Sequence, residues 1–288
     1  MTRELSTIDE ARLELAHWLR SPPGRYLLAW EQSQLDRAVA DVFGYHALQL
    51  GLPEIEALRA NRMPHRWVAS DALFEPELLP QAEPIELPPL EAALTTLPGR
   101  EGVALHCDFD ALPFPAQSLD LVVLPHALEL ARDPHDTLRE VERVLMAEGR
   151  VVLTGFNPAS LWGLRQRIGR TRRLGSGEGM FLPRAGDFIA YRRLRDWLRL
   201  LGFEVERGRF GCWRPPIHSP RWFDRFAWME SAGERWWPVF GAVYVVVAVK
   251  RVRGMRLVGL ERKLKAPAAA PVAVARRQPQ QVETLEQD

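Results

Sequence analysis

Residues 103–158 read VALHCDFDALPFPAQSLDLVVLPHALELARDPHDTLREVERVLMAEGRVVLTGFNP. A short apolar run, Val103 to Leu105, ends in an acid, Asp108. The turn Ala111-Leu112-Pro113-Phe114-Pro115 follows, then a second apolar run, Leu119 to Leu124, with Asp120 near its start. Between Asp136 and Met146 the apolar residues Leu138, Val141 and Leu145 fall at helical spacing. Glu148-Gly149 closes that helix, because glycine suits a left-handed cap. Val151-Val152-Leu153 is a third apolar run, broken by Gly155-Phe156-Asn157-Pro158. Strand, turn, strand, helix, strand, with strands apolar on both faces, predicts a buried parallel sheet in an α/β domain.

Upstream, Ile8 to Arg20 reads as an amphipathic helix ended by Ser21-Pro22-Pro23-Gly24, and Tyr26 to Phe43 as a second one. Ala47 to Gly51 is the first strand. Pro53 fits the first turn of a helix over Pro53 to Ala60. Arg66 to Ser70 is the second strand. The prolines between Glu75 and Pro98 imply an irregular crossover with one short helix, Leu90 to Leu97. Downstream, Arg192 to Leu201 reads as a helix capped by Gly202, Phe203 to Glu206 as a strand, and Phe240 to Val249 as a final strand.

With 288 residues and a net charge of +1, the chain has room for one large domain with appendages and no global field for nucleic acid or membrane. Two cysteines, Cys107 and Cys212, provide neither a disulfide framework nor a metal cluster. The N-terminus lacks the apolar region of a signal peptide, and the run Val239 to Val249 is short of the roughly 20 residues a membrane helix needs. The expectation is a cytoplasmic protein. No nucleophile triad or phosphate loop is visible, and Gly175-Ser176-Gly177 is followed by no Gly-Lys-Ser/Thr.

The central stretch is similar to the core of class I S-adenosylmethionine-dependent methyltransferases of the type 11 group. The matching features are Cys107-Asp108, Leu112-Pro113-Phe114, Leu119-Asp120-Leu121-Val122, and Glu140 to Gly149, with Glu148 where that family has a first glycine. Arg192 to Val205 is similar to its closing helix and strand. The resemblance implies a Rossmann-like three-layer sandwich with a seven-stranded, mostly parallel sheet. It implies a helical cap over 1–45 and a methyltransferase-like domain over 46–254. That domain carries a basic insertion at 159–190 and a Trp-rich cover at 211–238; a disordered tail follows over 262–288. The implied cofactor is S-adenosyl-L-methionine and the implied activity is methylation of an unidentified acceptor. Gly51 holds the methionine part, with Gln49 where an acid is common. Asp71, 20 positions after Gly51, takes the ribose hydroxyls, because a carboxylate accepts two bonds from a vicinal diol. Asp108 takes the adenine amino group and Phe109 meets the ring. Pro53 and Ile55 stand where the family has its second and third glycines.

Leu124, Pro125 and His126 lie at the carboxyl end of the fourth strand, where ligands of open α/β sheets bind. Leu124 and Pro125 are read as lining the cofactor. His126 is the candidate general base or substrate contact, since a neutral imidazole can take a proton from a nucleophile; an imidazole bonded to a backbone carbonyl is the plainer reading. Plainer readings also stand for Asp71 as a helix cap, Asp108 as a turn acid and Phe109 as a core aromatic. The stretch Arg165 to Arg195 is strongly basic, and reads as a solvated helix face or a lid for an anionic substrate or RNA. Trp213, Trp222, Trp228, Trp236 and Trp237 crowd the segment before the last strand, as a substrate cover or a local cluster. Against the methyltransferase stands a catalytically inactive binding or scaffold protein of the same fold, including one that binds RNA.

Overall fold

The computed structural model describes residues 14–70, 103–172, 181–182, 188–217 and 219–251. Residue 71, the crossover at 75–98, the loop at 174–180 and the tail from 252 lie outside them, so the readings of Asp71, of the helix at 90–97 and of the tail concern residues not described.

In chain order the elements are α1 (Pro22–Val39), β1 (His46–Leu50), β2 (His65–Ser70), β3 (Val103–His106), β4 (Leu119–Pro125), α2 (Ala127–Leu130), α3 (Pro134–Val144) and β5 (Leu145–Phe156). Then come α4 (Leu161–Arg172), α5 (Tyr191–Leu200), β6 (Phe203–Gly211), α6 (Pro220–Arg225), α7 (Met229–Trp236), a 3₁₀ turn (Pro238–Phe240) and β7 (Val243–Lys250). The strands form one sheet in the order β3-β2-β1-β4-β5-β7-β6. All pairs are parallel except those of β7, which runs antiparallel between β5 and β6.

Strand alternation distributes the core. Leu48, Val122, Leu124, Val151, Leu153 and Val246 face one side, where they meet Leu138 and Val141 of α3 and Leu194 and Leu198 of α5. Ala47, Leu121, Val123, Val152 and Val245 face the other, against Leu35 and Val39 of α1. The central strands therefore carry apolar residues on both faces, because both faces are covered, as a parallel sheet requires.

The turn after β3 is held by Glu140 and Arg143 in the last turns of α3. Glu140 Oε1 accepts from the Leu112 amide at 2.9 Å, and Arg143 Nη2 donates to the carbonyls of Leu112 at 3.0 Å and Phe114 at 2.9 Å. Arg143 also bonds Glu140 at 2.6 Å. The guanidinium beside it holds the Glu140 carboxyl below the usual carboxylate range. The Glu-x-x-Arg signature in α3 thus pins the Leu-Pro-Phe turn. Close by, at the start of β4, Asp120 Oδ2 accepts from the amides of Tyr45 at 2.8 Å and His46 at 2.9 Å, tying the start of β1 to the start of β4.

Several boundaries differ from the sequence reading. Residues 53–60 form consecutive turns, with no helix. The Gln49 side chain explains this: its amide donates to the carbonyls of Ile55 at 2.7 Å, Leu52 at 3.0 Å and Gly51 at 3.3 Å, and its oxygen accepts from Ala57 N at 3.0 Å. A side chain that captures these backbone groups removes them from a helical ladder. Helix α3 begins and ends two residues earlier than the spacing suggests. Asp133 caps it, accepting from His135 N at 2.7 Å, with Pro134 in the first turn. The left-handed residue beyond it is Glu148, at φ 64°. Gly149 is needed instead for close approach, since a Cβ there would lie 2.4 Å from Leu145 Cδ2. Strands β5 and β6 are longer than their apolar runs, and β7 starts at Val243 because Pro238–Phe240 is a 3₁₀ turn.

Helix α1 is seated on the sheet edge by a glycine. A Cβ on Gly211 would lie 2.0 Å from Trp30 Cε2. The variant Gly211→Ala is predicted to lose about 1–3 kcal/mol by overpacking, read as a lower urea midpoint at unchanged m-value. Equal midpoints would show that Trp30 swings aside freely.

Candidate functional site

Three chain segments converge where the parallel strands end. Gly51 follows β1 at φ 77°, a backbone state that favours glycine. A Cβ built there would touch Ala127 Cβ and the Phe109 ring, each at 3.6 Å. Phe109, two residues beyond Cys107 at the end of β3, is buried, and Asp108 beside it is exposed. Cys107 N donates to Ser70 O at 3.0 Å and Gly51 N to Ala69 O at 2.9 Å, so the ends of β1, β2 and β3 are in step. The structure therefore brings together Gly51, Asp108 and Phe109, with Leu124 and Pro125 buried at the end of β4. Asp71, one residue past β2, is outside the described residues.

The donor set suits a nucleoside cofactor in part. A positive-φ glycine leaves a strand end open to close approach, and an exposed carboxylate stands next to a buried aromatic. Gln49 is different. Its amide and oxygen are consumed by the loop over Gly51–Ala57, and Ile55 and Ala57 of that loop are buried in the core with Leu35 and Met63. Gln49 braces the loop from below and has no group left for a ligand's amine.

His126 sits on the chain reversal after β4, at φ 49° and ψ 12°. It is fully buried. Its Nδ1 lies 2.7 Å from Glu129 Oε2 and its Nε2 2.8 Å from Glu31 Oε1 of α1. Both carboxylates are buried as well. Glu129 Oε1 accepts from the Phe156 amide at 2.5 Å, and the Phe156 ring packs against the imidazole at 4.4 Å. Burial alone would disfavour a charged ring, but the flanking Glu31 and Glu129 outweigh it and push the His126 pKa up to about 10. At neutral pH the ring is an imidazolium with both N–H groups donated. In this position it has no lone pair for a substrate proton, and its partners are carboxylates where the sequence suggested a backbone carbonyl.

Glu31 was missed in the sequence, although a signal was there. It lies four residues after Leu27 and four before Leu35, and all three are buried on the same face of α1. A carboxylate at the centre of an apolar stripe needs a cationic partner. Glu31 Oε2 has no hydrogen-bond partner. Beyond it lies a second polar group: the Tyr26 hydroxyl donates to Glu230 Oε2 in a short bond, and Glu230 Oε2 also accepts from Trp213 N at 3.3 Å. Burial pushes the Tyr26 hydroxyl and the Cys212 thiol well up, so both are neutral. Among the described residues no three His, Cys, Asp or Glu side chains are placed to hold a metal ion.

The clamp has a pH signature. The folded-state pKa of about 10 lies above the ordinary 6.5, so the stabilisation is complete below pH 6.5 and is lost as pH rises toward 10. The expected slope is at most about 1.4 kcal/mol per pH unit. Thermal unfolding of wild type should fall steadily between pH 7 and 9 (the range of the measurement, chosen about the ordinary values of 6.5 and 9.0 for His126 and Cys212). His126→Gln should cost about 3–5 kcal/mol, leaving two unpaired carboxylates, and should flatten the slope. A variant with the wild-type slope would rule out an imidazolium at this position.

The comparisons with known proteins agree with the geometry. A family described as "Methyltransferase domain" matches residues 86–153. The chain is 32% identical over 170 residues to the uncharacterized protein YafS of Escherichia coli K12, covering 58% of this chain and 63% of that one. It is 43% identical over 58 residues to a malonyl-[acyl-carrier protein] O-methyltransferase of Halorhodospira halophila, covering 20% of each. The chain thus spans less than two thirds of the length of these curated relatives. Among solved structures it is similar to a chain in the complex between the Haloferax volcanii Trm112 methyltransferase activator and what is described there as a methyltransferase. That match has a TM-score of 0.50 and 19% identity, over 85% of this chain and 99% of that one, and it shows the fold. The seven-stranded sheet with its antiparallel β7 is the class I methyltransferase fold, and over residues 86–153 the chain is similar to the methyltransferase domain family.

Proposed function

We propose that the protein transfers a methyl group from S-adenosylmethionine to an acceptor bound over the carboxyl ends of β4 and β5. The observation that carries the reading is the meeting of Gly51, Phe109 and Ala127 at one strand edge, with the Asp108 carboxylate exposed beside them. In this reading the backbone of the loop at Gly51 holds the amino-acid part of the cofactor. Asp71 accepts from the ribose hydroxyls. Asp108 accepts from the adenine amino group, and Phe109 supports the ring. Leu124 and Pro125 form the floor at the end of β4.

When bound, the cofactor supplies a methyl group already activated on a sulfonium centre. The chain's task is then alignment of the acceptor with that methyl, which accounts for most of the rate such enzymes gain by orientation. His126 acts as a positioning residue in this reading. As an imidazolium between Glu31 and Glu129 it fixes α1 over the strand ends and holds the β4 reversal in its left-handed state. A deprotonation, where an acceptor needs one, falls to solvent or to a group of the acceptor's own. Two cysteines in the whole chain, too few for a disulfide framework, fit a cytoplasmic setting. The acceptor itself belongs to the open part of this proposal, with an anionic molecule or RNA favoured by the arginines between Arg165 and Arg195.

Calorimetric titration tests the reading. S-adenosylmethionine and S-adenosylhomocysteine should bind the full chain in the micromolar range, about −8 kcal/mol. Asp108→Ala should weaken both by about ten-fold or more, since a charge-assisted bond to a buried base edge contributes roughly 1.5–3 kcal/mol. Its thermal midpoint should match wild type because Asp108 is exposed. No binding by the wild-type chain at millimolar cofactor would sink the enzymatic reading and leave the fold as a scaffold.

A further inference from the structure

We propose that the face built by α4, α6 and α7 docks on an anionic lipid bilayer. Helix α4 turns Leu161, Leu164 and Ile168 to solvent, at 48%, 50% and 44% exposure. These positions recur at the spacing of one helical face. Trp222 of α6, Trp228, Trp236 of α7, Trp237 and Phe240 are each half exposed or more. A monomer normally scatters such side chains, and their gathering on segments bonded to one another marks an interaction surface.

The set is held on a rigid frame. Asn157 Nδ2 donates to the carbonyls of Val239 and Gly241, each at 2.9 Å, joining the start of α4 to the 3₁₀ turn. Trp162 Nε1 donates to Arg214 O at 2.7 Å, and the Arg165 guanidinium to Pro216 O in a short bond. Trp213 Nε1 donates to Trp237 O at 3.0 Å, and a Cβ on Gly233 of α7 would meet the Trp213 ring at 2.2 Å. The buried members, Trp162 and Trp213, anchor the frame, and Trp222, Trp228, Trp236 and Trp237 stay more than half exposed. Asn157 follows β5, Cys212 follows β6 and Ala242 precedes β7, so the face lies at the same edge of the sheet as the site at Gly51 and Asp108.

Charge identifies the partner. Among the described side chains of this face Arg165, Arg221, Arg225 and Arg235 are exposed cations, against the exposed acids Asp224 and Glu234. Arg225 stands over the Trp222 ring at 5.9 Å. Tryptophan with an arginine fringe is the composition of an interfacial surface: the indole enters the headgroup layer and the guanidinium meets the lipid phosphate. Single-stranded nucleic acid would use the arginines and stack on the indoles. It offers nothing to Leu161, Leu164 and Ile168, which a bilayer interface buries. No described helix is long and apolar enough to cross a membrane, so the attachment is peripheral. The inference stands apart from the methyl-transfer reading.

Co-sedimentation of the full chain with phosphatidylcholine vesicles, with and without phosphatidylglycerol, tests it. Binding is expected with phosphatidylglycerol, weakening as salt screens the arginines, with a blue shift of tryptophan emission. Two variants separate the contributions: Leu164→Ser, Trp222→Ser and Trp236→Ser combined, and Arg221→Glu with Arg225→Glu. Each should lower vesicle partitioning by about ten-fold or more at an unchanged thermal midpoint, because every altered side chain is exposed. Absence of vesicle binding overturns the proposal, as does equal binding to neutral vesicles. Single-stranded RNA bound in place of vesicles, and lost in the same variants, reassigns the face to nucleic acid. A dimer broken by the tryptophan substitutions reassigns it to self-association.

Discussion

The imidazolium of His126, buried between Glu31 and Glu129, is the interaction on which the ligand edge of this protein depends. It joins three pieces of chain through buried side chains. Glu31 comes from α1, His126 from the reversal after β4, and Glu129 carries the connection on to the last amide of β5 at Phe156. Two carboxylates and one cation leave the group with a surplus negative charge away from water, which is costly unless the geometry is well satisfied. Three short contacts, His126 to Glu129 and to Glu31 and the Phe156 amide to Glu129, satisfy it in part, and Glu31 Oε2 is left without a partner among the described residues. The surrounding wall of Leu27, Leu130, Phe156 and Leu52 keeps water out and so strengthens the attraction. Removing the ion group would take away the buried polar tie between α1 and the end of β4 and leave α1 held by its apolar packing.

A second brace compensates for what the glycine-rich loop lacks. Glycines at the second and third positions of such a loop let the backbone bend closely around a cofactor. Here Pro53 and Ile55 remove that freedom, and Gln49 replaces it with four side-chain hydrogen bonds that set the path of Gly51–Ala57. Ile55 then becomes a core residue, packed with Ala57, Leu58 and Met63. The loop keeps the one glycine whose positive φ demands it, Gly51. A stiff loop of this kind gains order by committing its polar groups internally, and its remaining offer to a ligand is backbone.

The legible part of the sequence was the part governed by local repetition. Apolar runs at β4 and β5 name a buried parallel sheet because nothing else buries both faces of a strand. Asp133-Pro134 announces the start of α3 because a carboxylate cap and a proline in the first turn act within one turn of chain. Glu140 and Arg143 were legible as a motif, though their work on the Leu112–Phe114 turn, 28 to 31 residues away, was not. Residues 53–60 misled for a related reason. Proline followed by apolar residues suits a helix, and only a side chain from the preceding strand diverts it.

By itself the sequence determined the fold class, the run of strands and the position of Gly51 and Asp108 at strand ends, since each follows from residue types within a few positions of one another. The tertiary structure decided the surroundings of His126. A histidine at a strand end reads as a base until its neighbours are known, and its decisive neighbour, Glu31, lies 95 residues away. The protonation state of a buried ring is set by the charges packed around it, and those are assembled only when α1 closes on the sheet. The same holds for the tryptophans. Their number is written in the chain, but folding alone sorted Trp162 and Trp213 into the frame and left Trp222, Trp228, Trp236 and Trp237 facing solvent, because helix packing assigns each ring to one face or the other.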